Sequence, residues 1–451
     1  MDKPRITYLP VLCALSGGLC LAATVWAAAG LRQGDPLDRA GVAVVLLILA
    51  GLGILLLHRE GAGRRQLLIM LLPIGAAMLL RALCLDYASK DYIDFLAKWY
   101  DYFRDNGGFK AIAHSVGDYN VPYLYFMAAI SCLKVPDLYL IKLFSILFDV
   151  LLAWGGLRLA RVLRGRQEGD NVPLIAFGML LFLPTVVLNG AYWGQCDAIY
   201  GALTLHAAAS VLEGKNKSSV ALLAVAFSFK LQTVFLIPLW GVLWLARRVK
   251  FRELLVFPLT YVLTIVPALL LGKPLSDILG VYLNQMGEYS YRLTLNAPSV
   301  FQFIPYGLEV NDGVLSRLGI LAAAVLVLAL LGLGLWLGRR LNREIVIAMA
   351  AVLAIGVPFF LPYMHERYFF LADVICVCWA CANARRAPVA VLVCGSSLAS
   401  YCVYLRLKYN CVVTLGGIQF VMGLEALAML AALAFSAAVL ACEIKNRGER
   451  T

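Results

Sequence analysis

Residues 41–57 read GVAVVLLILAGLGILLL, a run of apolar residues without a charged or amide side chain. At a rise of about 1.5 Å per residue, a helix of this length covers most of the roughly 30 Å hydrocarbon core of a bilayer. The apolar residues are continuous and do not alternate with polar ones, which favours a helix over a strand of a membrane barrel. This stretch therefore predicts a transmembrane helix.

Similar runs recur along the chain and agree with its composition. The 451 residues are 62% hydrophobic and 15% charged, whereas soluble proteins average about 45–50% apolar and about 25% charged residues. Because only helices or closed barrels satisfy the backbone inside a bilayer, we predict an all-α, polytopic transmembrane helical bundle with about fourteen crossings. The predicted spans are residues 8–30, 41–57, 67–85, 138–157, 172–190, 197–212, 218–229 and 232–246 as a broken pair, 254–271, 314–338, 344–361, 366–383, 388–405 and 411–441.

The net charge of +12 is distributed as in a membrane protein. Arginines and lysines cluster in short loops at alternate span ends, including 59–65, 158–166, 247–252 and 339–343. This positive-inside pattern places these loops and both termini in the cytoplasm. A nucleic-acid-binding protein would present one contiguous basic face, and the sequence shows none, so no nucleic acid partner is expected.

Two long polar loops, 86–120 and 273–312, lie on the outer side in this topology. In the first loop, apolar residues recur at helical spacing from Asp91 onward, which predicts an amphipathic helix on the membrane surface. Residues 121–133 are apolar but too short to span a bilayer, so they are predicted to be re-entrant or interfacial.

The chain divides into an N-terminal two-span hairpin at 1–66, a core at 67–385 that includes both outer loops, and C-terminal spans at 386–451. Its 12 cysteines show no ligand spacing. Cys378 and Cys381 form a CxxC pattern, but it lies inside an apolar run with no second pair. We therefore predict no metal site.

Three short polar segments stand at the outer ends of predicted spans, at 89–94, 193–197 and 365–368. A charged side chain at membrane depth costs roughly 2.5–3.5 kcal/mol on insertion scales. Several such groups on one side of one chain indicate a shared polar site.

Asp91 and Asp94 are the candidate catalytic residues. Asp91 opens the predicted surface helix, where the helix dipole favours a carboxylate, and Asp94 lies one turn further on the same face. A partly buried carboxylate at this place could accept a proton from an attacking hydroxyl group. The alternative is an acid that caps the helix, with Lys90 as its surface partner.

The segment 193–197 reads WGQCD at the junction of two spans. Gly194 permits a tight turn, and Trp193 suits the membrane interface. Gln195 and Asp197 could hydrogen-bond a polar ligand, or Asp197 could cap the next helix.

Lys230 and Gln232 interrupt the long apolar stretch 218–246. The position of this lysine requires an explanation, because an unpaired charge is unfavourable among apolar side chains. Lys230 meets either an anion or a carboxylate of this chain, or it marks an outer hairpin tip that reaches the headgroups.

His365, Glu366 and Arg367 follow Pro358 and Pro362 with no loop to solvate them. Arg367 offers charge and fork geometry for a phosphate, and His365 offers a second donor. Glu366 would orient one of them. The alternative is a short turn with a local ion pair.

A transporter would place charged residues near mid-membrane and show symmetry between its two halves. Here the polar groups collect on one side, beside the long loops, which favours a transferase working at the membrane surface. A transporter or lipid-carrier flippase, and a glycan ligase or polymerase, stay open as alternatives.

At these residues the chain resembles the GT-C glycosyltransferases, and most of all the bacterial relatives of the asparagine-linked-glycosylation glucosyltransferases and the GPI-anchor mannosyltransferases. The resemblance covers residues 67–385. The motifs that carry it are, in order, Asp91-Tyr92 with Trp99, Asn120-Val121-Pro122-Tyr123-Leu124-Tyr125, Trp193-Gly194-Gln195, Lys230-Leu231-Gln232 and His365-Glu366-Arg367.

The resemblance implies a GT-C-like fold and an inverting hexosyltransferase, such as a mannosyltransferase, that takes one sugar from a polyprenyl-phosphate carrier. Asp91 would deprotonate the acceptor hydroxyl, with Asp94 as a helper. Arg367 and His365, together with Lys230, would bind the carrier phosphate. The other residues assigned to substrate binding are Trp99, Tyr123, Trp193, Gln195, Asp197, Gln232 and Glu366.

The expected partners are the polyprenyl-phosphate-linked sugar, a glycan, lipid or protein acceptor, and membrane lipid. The expected location is a bacterial plasma membrane, with the active site on its outer face. Family members often carry an adjacent acidic pair, whereas Asp91 is flanked by Lys90 and Tyr92. A divalent metal is therefore not supported, and no cofactor is predicted.

Overall fold

The computed structural model describes residues 8–165, 167, 169–288, 292–304, 311–407 and 410–448. Helices make up most of this part of the chain, and the predicted all-α helical bundle is confirmed. Parts of the second predicted outer loop, at 289–291 and 305–310, lie outside the described residues.

The α-helices are numbered in chain order. They are α1 (Leu9–Ala29), α2 (Pro36–Arg59), α3 (Arg64–Ala82), α4 (Ala97–Asp105), α5 (Val121–Ile130), α6 (Asp137–Arg164), α7 (Val172–Phe182), α8 (Pro184–Val187), α9 (Asp197–Leu212), α10 (Asn216–Phe229), α11 (Pro238–Leu245), α12 (Phe251–Leu254), α13 (Val256–Leu270), α14 (Leu275–Glu288), α15 (Asp312–Leu337), α16 (Arg343–Phe360), α17 (Phe370–Ala382), α18 (Ala387–Tyr404) and α19 (Asn410–Gly448).

Nine described helices are long and apolar enough to cross a membrane, and the bent pair formed by Val172–Phe182 and Pro184–Trp193 makes ten. The chain is therefore a multi-pass membrane protein. The predicted count of about fourteen requires the shorter helices α9, α10, α17 and Leu231–Leu245 to cross as well. That count stays a prediction.

The ends of α2 show how local chemistry sets the span bounds. The Asp35 side chain accepts hydrogen bonds from the backbone of Leu37 and Asp38, and Pro36 occupies the first turn, where its missing N–H is not needed. His58 and Arg59 lie in the last turn, where the helix dipole favours a cation. The helix is therefore longer at both ends than the apolar run that predicts it.

Helices α1 and α3 approach each other closely through glycines. A Cβ atom on Gly17 would lie 2.5 Å from the carbonyl carbon of Leu71, and one on Gly75 would lie 2.6 Å from the carbonyl oxygen of Gly17. Small residues allow such backbone contact between membrane helices, where packing replaces the hydrophobic effect.

Three of the long helices run from one end of the bundle to the other and show which loops lie at each end. α3, α16 and α18 each start at or directly after an arginine, and they run toward the residues around Asp91, Arg367 and Tyr404. Arg367 and Tyr404 both contact Asp91. The arginine-rich loops therefore share the opposite end, as the positive-inside pattern predicts.

Lys142 of α6 fixes the chain that leads from α3 to Asp91. Its ammonium donates to the carbonyl oxygens of Cys84 at 2.9 Å, Leu85 at 3.0 Å and Tyr87 at 2.7 Å. These carbonyls lie in the turn that follows α3, and buried carbonyl oxygens outside a helix need hydrogen-bond partners from elsewhere. A buried lysine thus satisfies them and ties α3 to α6.

The predicted amphipathic helix is present in the first long loop, 86–120. It consists of a wide π turn over Tyr92–Leu96, followed by α4. Tyr100 and Phe103 are buried, whereas Asp101 and Arg104 are exposed and form an ion pair. The helix ends at Asp105, and the C-cap residue Asn106 is followed by Gly107 with φ +81°.

The second long loop, 273–312, joins the polar segment after α16 through two short parallel strands, β1 (Thr294–Leu295) and β2 (Met364–His365). Leu295 is paired with His365. The residues of α5, predicted to be re-entrant or interfacial, form a buried ten-residue helix.

Candidate active site

A cavity of about 870 Å³ opens at the end of the bundle opposite the arginine-rich loops. Its size is within the range of roughly 300–1,000 Å³ that is usual for ligand pockets. The cavity draws its walls from helices far apart in the sequence. The predicted site residues that line it are Asp91, Asp94, Trp99, Gln195, Lys230, Gln232, His365 and Arg367.

Asp91 is held by donors from two other parts of the chain. Its Oδ2 accepts hydrogen bonds from Gln195 Nε2 at 2.7 Å and Trp193 Nε1 at 3.1 Å. Its Oδ1 accepts one from the Tyr404 hydroxyl. An ionised carboxylate has about four acceptor sites, so these donors orient the group and leave one site on Oδ1 for a ligand. The structure shows no capping hydrogen bond from Asp91, so the alternative reading of this residue is wrong.

The two donors from the segment 193–197 are placed by a second π turn, Leu188–Trp193, and by Gly194 in a left-handed conformation with φ +84°. The backbone N–H of Gln195 donates to the Asn189 carbonyl at 2.8 Å, and Ser145 Oγ donates to the Gln195 carbonyl at 2.7 Å. Wide turns inside helices are frequent at functional sites because they redirect side chains. Here they accompany both Asp91 and Trp193.

Arg367 lies between three carboxylates. Its Nη1 is 3.9 Å from Asp91 Oδ2 and 3.5 Å from Glu366 Oε1, and its Nε is 4.0 Å from Asp197 Oδ2. The guanidinium also stacks 5.5 Å from the centre of the Trp193 ring. The distances to Asp91 and Asp197 exceed hydrogen-bond length, so donors of Arg367 stay available to a ligand.

Lys230 and Asp197 form a buried ion pair. Asp197 Oδ2 also accepts from Asn189 Nδ2 at 2.6 Å. Lys230 is 5% exposed, so it meets a carboxylate of this chain and does not reach the headgroups from a hairpin tip. Cys196 and not Asp197 occupies the N-cap position of α9, and Asp197 makes no capping bond there.

Glu366 and His365 both have pKa values that differ from their usual ones. Burial raises the pKa of Glu366 to about 7, although Arg367 acts in the opposite direction. Burial, together with Arg367 and Lys230, lowers the pKa of His365 well below its usual value. His365 is therefore neutral at pH 7 and still carries one N–H donor.

Four residues predicted to bind substrate lie behind the cavity wall. Trp193, Asp197 and Glu366 are at most 1% exposed, and each contacts a residue that does line the cavity. Tyr123 is 1% exposed and packs edge-on against Tyr119 at 4.8 Å. None of the four is among the residues that line the cavity, and their assignment to substrate binding stays a prediction. Apolar packing and buried hydrogen bonds account for their positions.

Asp94 and Trp99 both face the cavity. Asp94 makes no hydrogen bond or ion pair with any described residue, so its carboxylate is available to a ligand. Trp99 lies edge-on to Tyr119 at 5.3 Å, and its ring contacts Gly117, where a Cβ atom would come within 2.4 Å. Gly117 also has φ +65°, so glycine is required there on both counts.

Sequence reasoning missed two tyrosines of the site. Tyr404 donates to Asp91, and Tyr119 donates to Gln195 Oε1 at 3.1 Å. Tyr404 lies beyond residue 385, where the family resemblance ends. A tyrosine near the end of a membrane helix is also common at any interface, so its residue type gave no separate signal.

The arrangement combines an oriented carboxylate with an arginine that retains free donors, in one cavity. Such a pair can take a proton from a hydroxyl and stabilise negative charge that develops a few ångströms away. Within the described ranges, no group of three or more His, Cys, Asp or Glu side chains is placed to hold a metal ion.

Comparison of the chain with protein-family models gives no match, and comparison with curated proteins gives no significant match.

Proposed function

We propose that this protein is an inverting glycosyltransferase that moves one hexose from a polyprenyl-phosphate carrier to an acceptor hydroxyl on the extracytoplasmic face. One observation carries the proposal. Asp91 and Arg367, 276 residues apart in the chain, lie 3.9 Å apart in one cavity. An acceptor-activating base and a phosphate-binding cation are the two groups that this reaction needs.

Asp91 would act on the acceptor. The free acceptor site on Oδ1 takes the hydroxyl proton as the acceptor oxygen attacks the anomeric carbon of the hexose. The bond between that carbon and the phosphate oxygen breaks, and its electron pair leaves with the phosphate. Attack from the side opposite the leaving group inverts the anomeric carbon.

Arg367 would act on the leaving group. The donor is a phosphodiester with one negative charge, and the released lipid phosphate carries about −1.5 to −2 near neutral pH. A cation with free donors stabilises the charge that appears in the transition state. His365 adds one neutral donor, whereas Lys230 is already paired with Asp197 and is assigned to holding that carboxylate.

The test is a donor screen with purified protein in lipid vesicles. The protein receives single-sugar polyprenyl phosphates together with candidate acceptors, and products are read by mass spectrometry. A new glycosidic bond with release of polyprenyl phosphate supports the proposal. Movement of the carrier across the vesicle without a new bond would indicate a flippase, and transfer only from diphosphate donors would indicate a ligase or polymerase.

Donor affinity is expected to fall as the pH rises through about 7. Below that pH Glu366 is mainly protonated and neutral, so it does not compete with the phosphate for Arg367. Above it Glu366 becomes an anion 3.5 Å from Arg367 and competes with the donor. The KM for donor is measured at pH values from about 6 to about 8.5, on both sides of the pKa of Glu366. In the wild type it should rise across this range.

Glu366→Gln should flatten this pH dependence, because glutamine stays neutral. Glu344→Gln is the matched control, since Glu344 lies at the other end of the bundle and accepts from Trp379 Nε1 at 3.3 Å. A KM profile that keeps its slope in Glu366→Gln would contradict the assignment.

A further inference from the structure

Arg406 lies at the mouth of the cavity, in a backbone conformation that is unusual for arginine. It is the second residue after α18 and has φ +54°. Its N–H donates to the Val403 carbonyl at 3.3 Å, and the N–H of Leu407 donates to the Cys402 carbonyl at 3.0 Å. These bonds form a Schellman cap, in which the left-handed position is usually glycine. The exposed Arg406 side chain lines the cavity.

The cap alone does not indicate a function, because Arg247 occupies the same position after α11. Arg247 has φ +58°, its N–H donates to the Trp244 carbonyl at 2.8 Å, and the N–H of Arg248 donates to the Leu243 carbonyl at 2.8 Å. A cation near the end of a helix is favoured by the dipole in both places. The two arginines differ in their surroundings, since Arg247 lies at the arginine-rich end of the bundle.

The cations deep in the cavity are already balanced. Lys230 is paired with Asp197, and Arg367 lies 3.9 Å from Asp91 and 4.0 Å from Asp197. Two cations thus face two carboxylates, with Glu366 adding a further negative charge above its pKa. A lipid phosphate that enters this region brings negative charge, and Lys230 and Arg367 do not fully compensate it.

Arg406 and Lys90 are the further basic residues that line the cavity, and neither forms an ion pair with a described residue. Arginine suits phosphate better, because its planar fork makes two parallel hydrogen bonds. Arg406 is also two residues from Tyr404, so their Cα atoms are at most about 7.6 Å apart. Tyr404 lines the same cavity, and its hydroxyl donates to Asp91.

We propose that Arg406 binds the phosphate of a polyprenyl-phosphate lipid at the cavity mouth and supplies the positive charge that the deep pairs lack. The inference rests on the proposed function, which it extends by a residue outside the segment that resembles a known family. No bond is made or broken by Arg406 itself. It holds the phosphate while the sugar leaves.

The experiment measures binding and does not depend on turnover. Wild type, Arg406→Asn, Arg406→Lys and Arg247→Asn are purified in detergent and titrated with a short-chain polyprenyl monophosphate, with the matching polyprenol and with inorganic phosphate. Asparagine tolerates the left-handed conformation, so Arg406→Asn removes the charge with little backbone strain. Arg247→Asn makes the same change in the same cap outside the cavity.

Arg406→Asn is expected to weaken binding of the lipid phosphate by about tenfold, as loss of a hydrogen-bonded charge implies. Binding of polyprenol should not change. Arg406→Lys should lose less affinity than Arg406→Asn, because lysine keeps the charge but lacks the planar fork. Arg247→Asn should match the wild type. Inorganic phosphate should compete weakly, because it lacks the lipid chain.

Unchanged lipid-phosphate binding in Arg406→Asn would overturn the proposal, as would an equal loss for polyprenol or the same loss in Arg247→Asn. Strong competition by inorganic phosphate would overturn the assignment to a lipid. If the wild type binds the lipid phosphate through Arg406 but transfers no sugar in the donor screen, the proposed function fails while the binding site stands.

Discussion

Asp91→Asn is expected to reduce sugar transfer by about 10²–10⁴-fold, the usual contribution of a general base. Asparagine keeps the size of the side chain but cannot take up the acceptor proton. Its amide group would also face Trp193 Nε1 or Gln195 Nε2, donors that now bind a carboxylate. The measurement is the initial rate at saturating donor and acceptor, read by mass spectrometry.

Asp101→Asn is the matched control for this experiment. Asp101 lies on α4, its side chain is 52% exposed and it pairs with Arg104 on the helix surface. The rate of sugar transfer by the Asp101→Asn protein should stay near that of the wild type. Asp94→Asn, made in parallel, decides whether the second carboxylate assists. Near-normal turnover of a folded Asp91→Asn protein would remove Asp91 from the role of base.

Arg367→Ala is expected to raise the KM for donor by roughly 10–100-fold, because hydrogen bonds to charged groups contribute about 1.5–3 kcal/mol. The KM for acceptor should change much less. The substitution also leaves Asp91 and Asp197 without the cation that lies 3.9 Å and 4.0 Å from them. A fall in rate should therefore accompany the weaker donor binding. Steady-state kinetics with each substrate varied in turn separates the two effects.

Arg386 offers a close structural control. Its side chain is 14% exposed, like that of Arg367, and it pairs with Glu443 at 3.0 Å. It also stacks 5.4 Å from the centre of the Trp379 ring. Arg386→Ala should leave both KM values unchanged, because this arginine lies at the other end of the bundle. An equal rise of the donor KM in both variants would point to general loss of packing and not to phosphate binding.

The helical part of the fold could be predicted because apolar runs are long and their physical cause is local. The run at 41–57 lies entirely within α2, and the surface helix beginning near Asp91 follows from apolar spacing alone. The pairing of Leu295 with His365 could not be predicted, since strands of two residues carry no periodic pattern.

The candidate site was predictable where residue type was unusual for its surroundings. Asp91, Lys230 and Arg367 stand out because charge is unfavourable next to apolar spans. Which partner each one meets depends on tertiary packing, so the pairing of Lys230 with Asp197 was one of several open readings. Tyr404 gave no signal, because tyrosine is ordinary where it stands.

The bond between Tyr404 and Asp91 joins residues 313 positions apart. During synthesis the ribosome makes Asp91 early, and its partners Gln195, Arg367 and Tyr404 follow in that order. The set of residues that contact the Asp91 carboxylate is therefore complete only after nearly the whole polypeptide has been made. Nascent chains that stop before α18 would lack Tyr404, so the hydrogen bonds that orient the Asp91 carboxylate are complete only when translation is almost over.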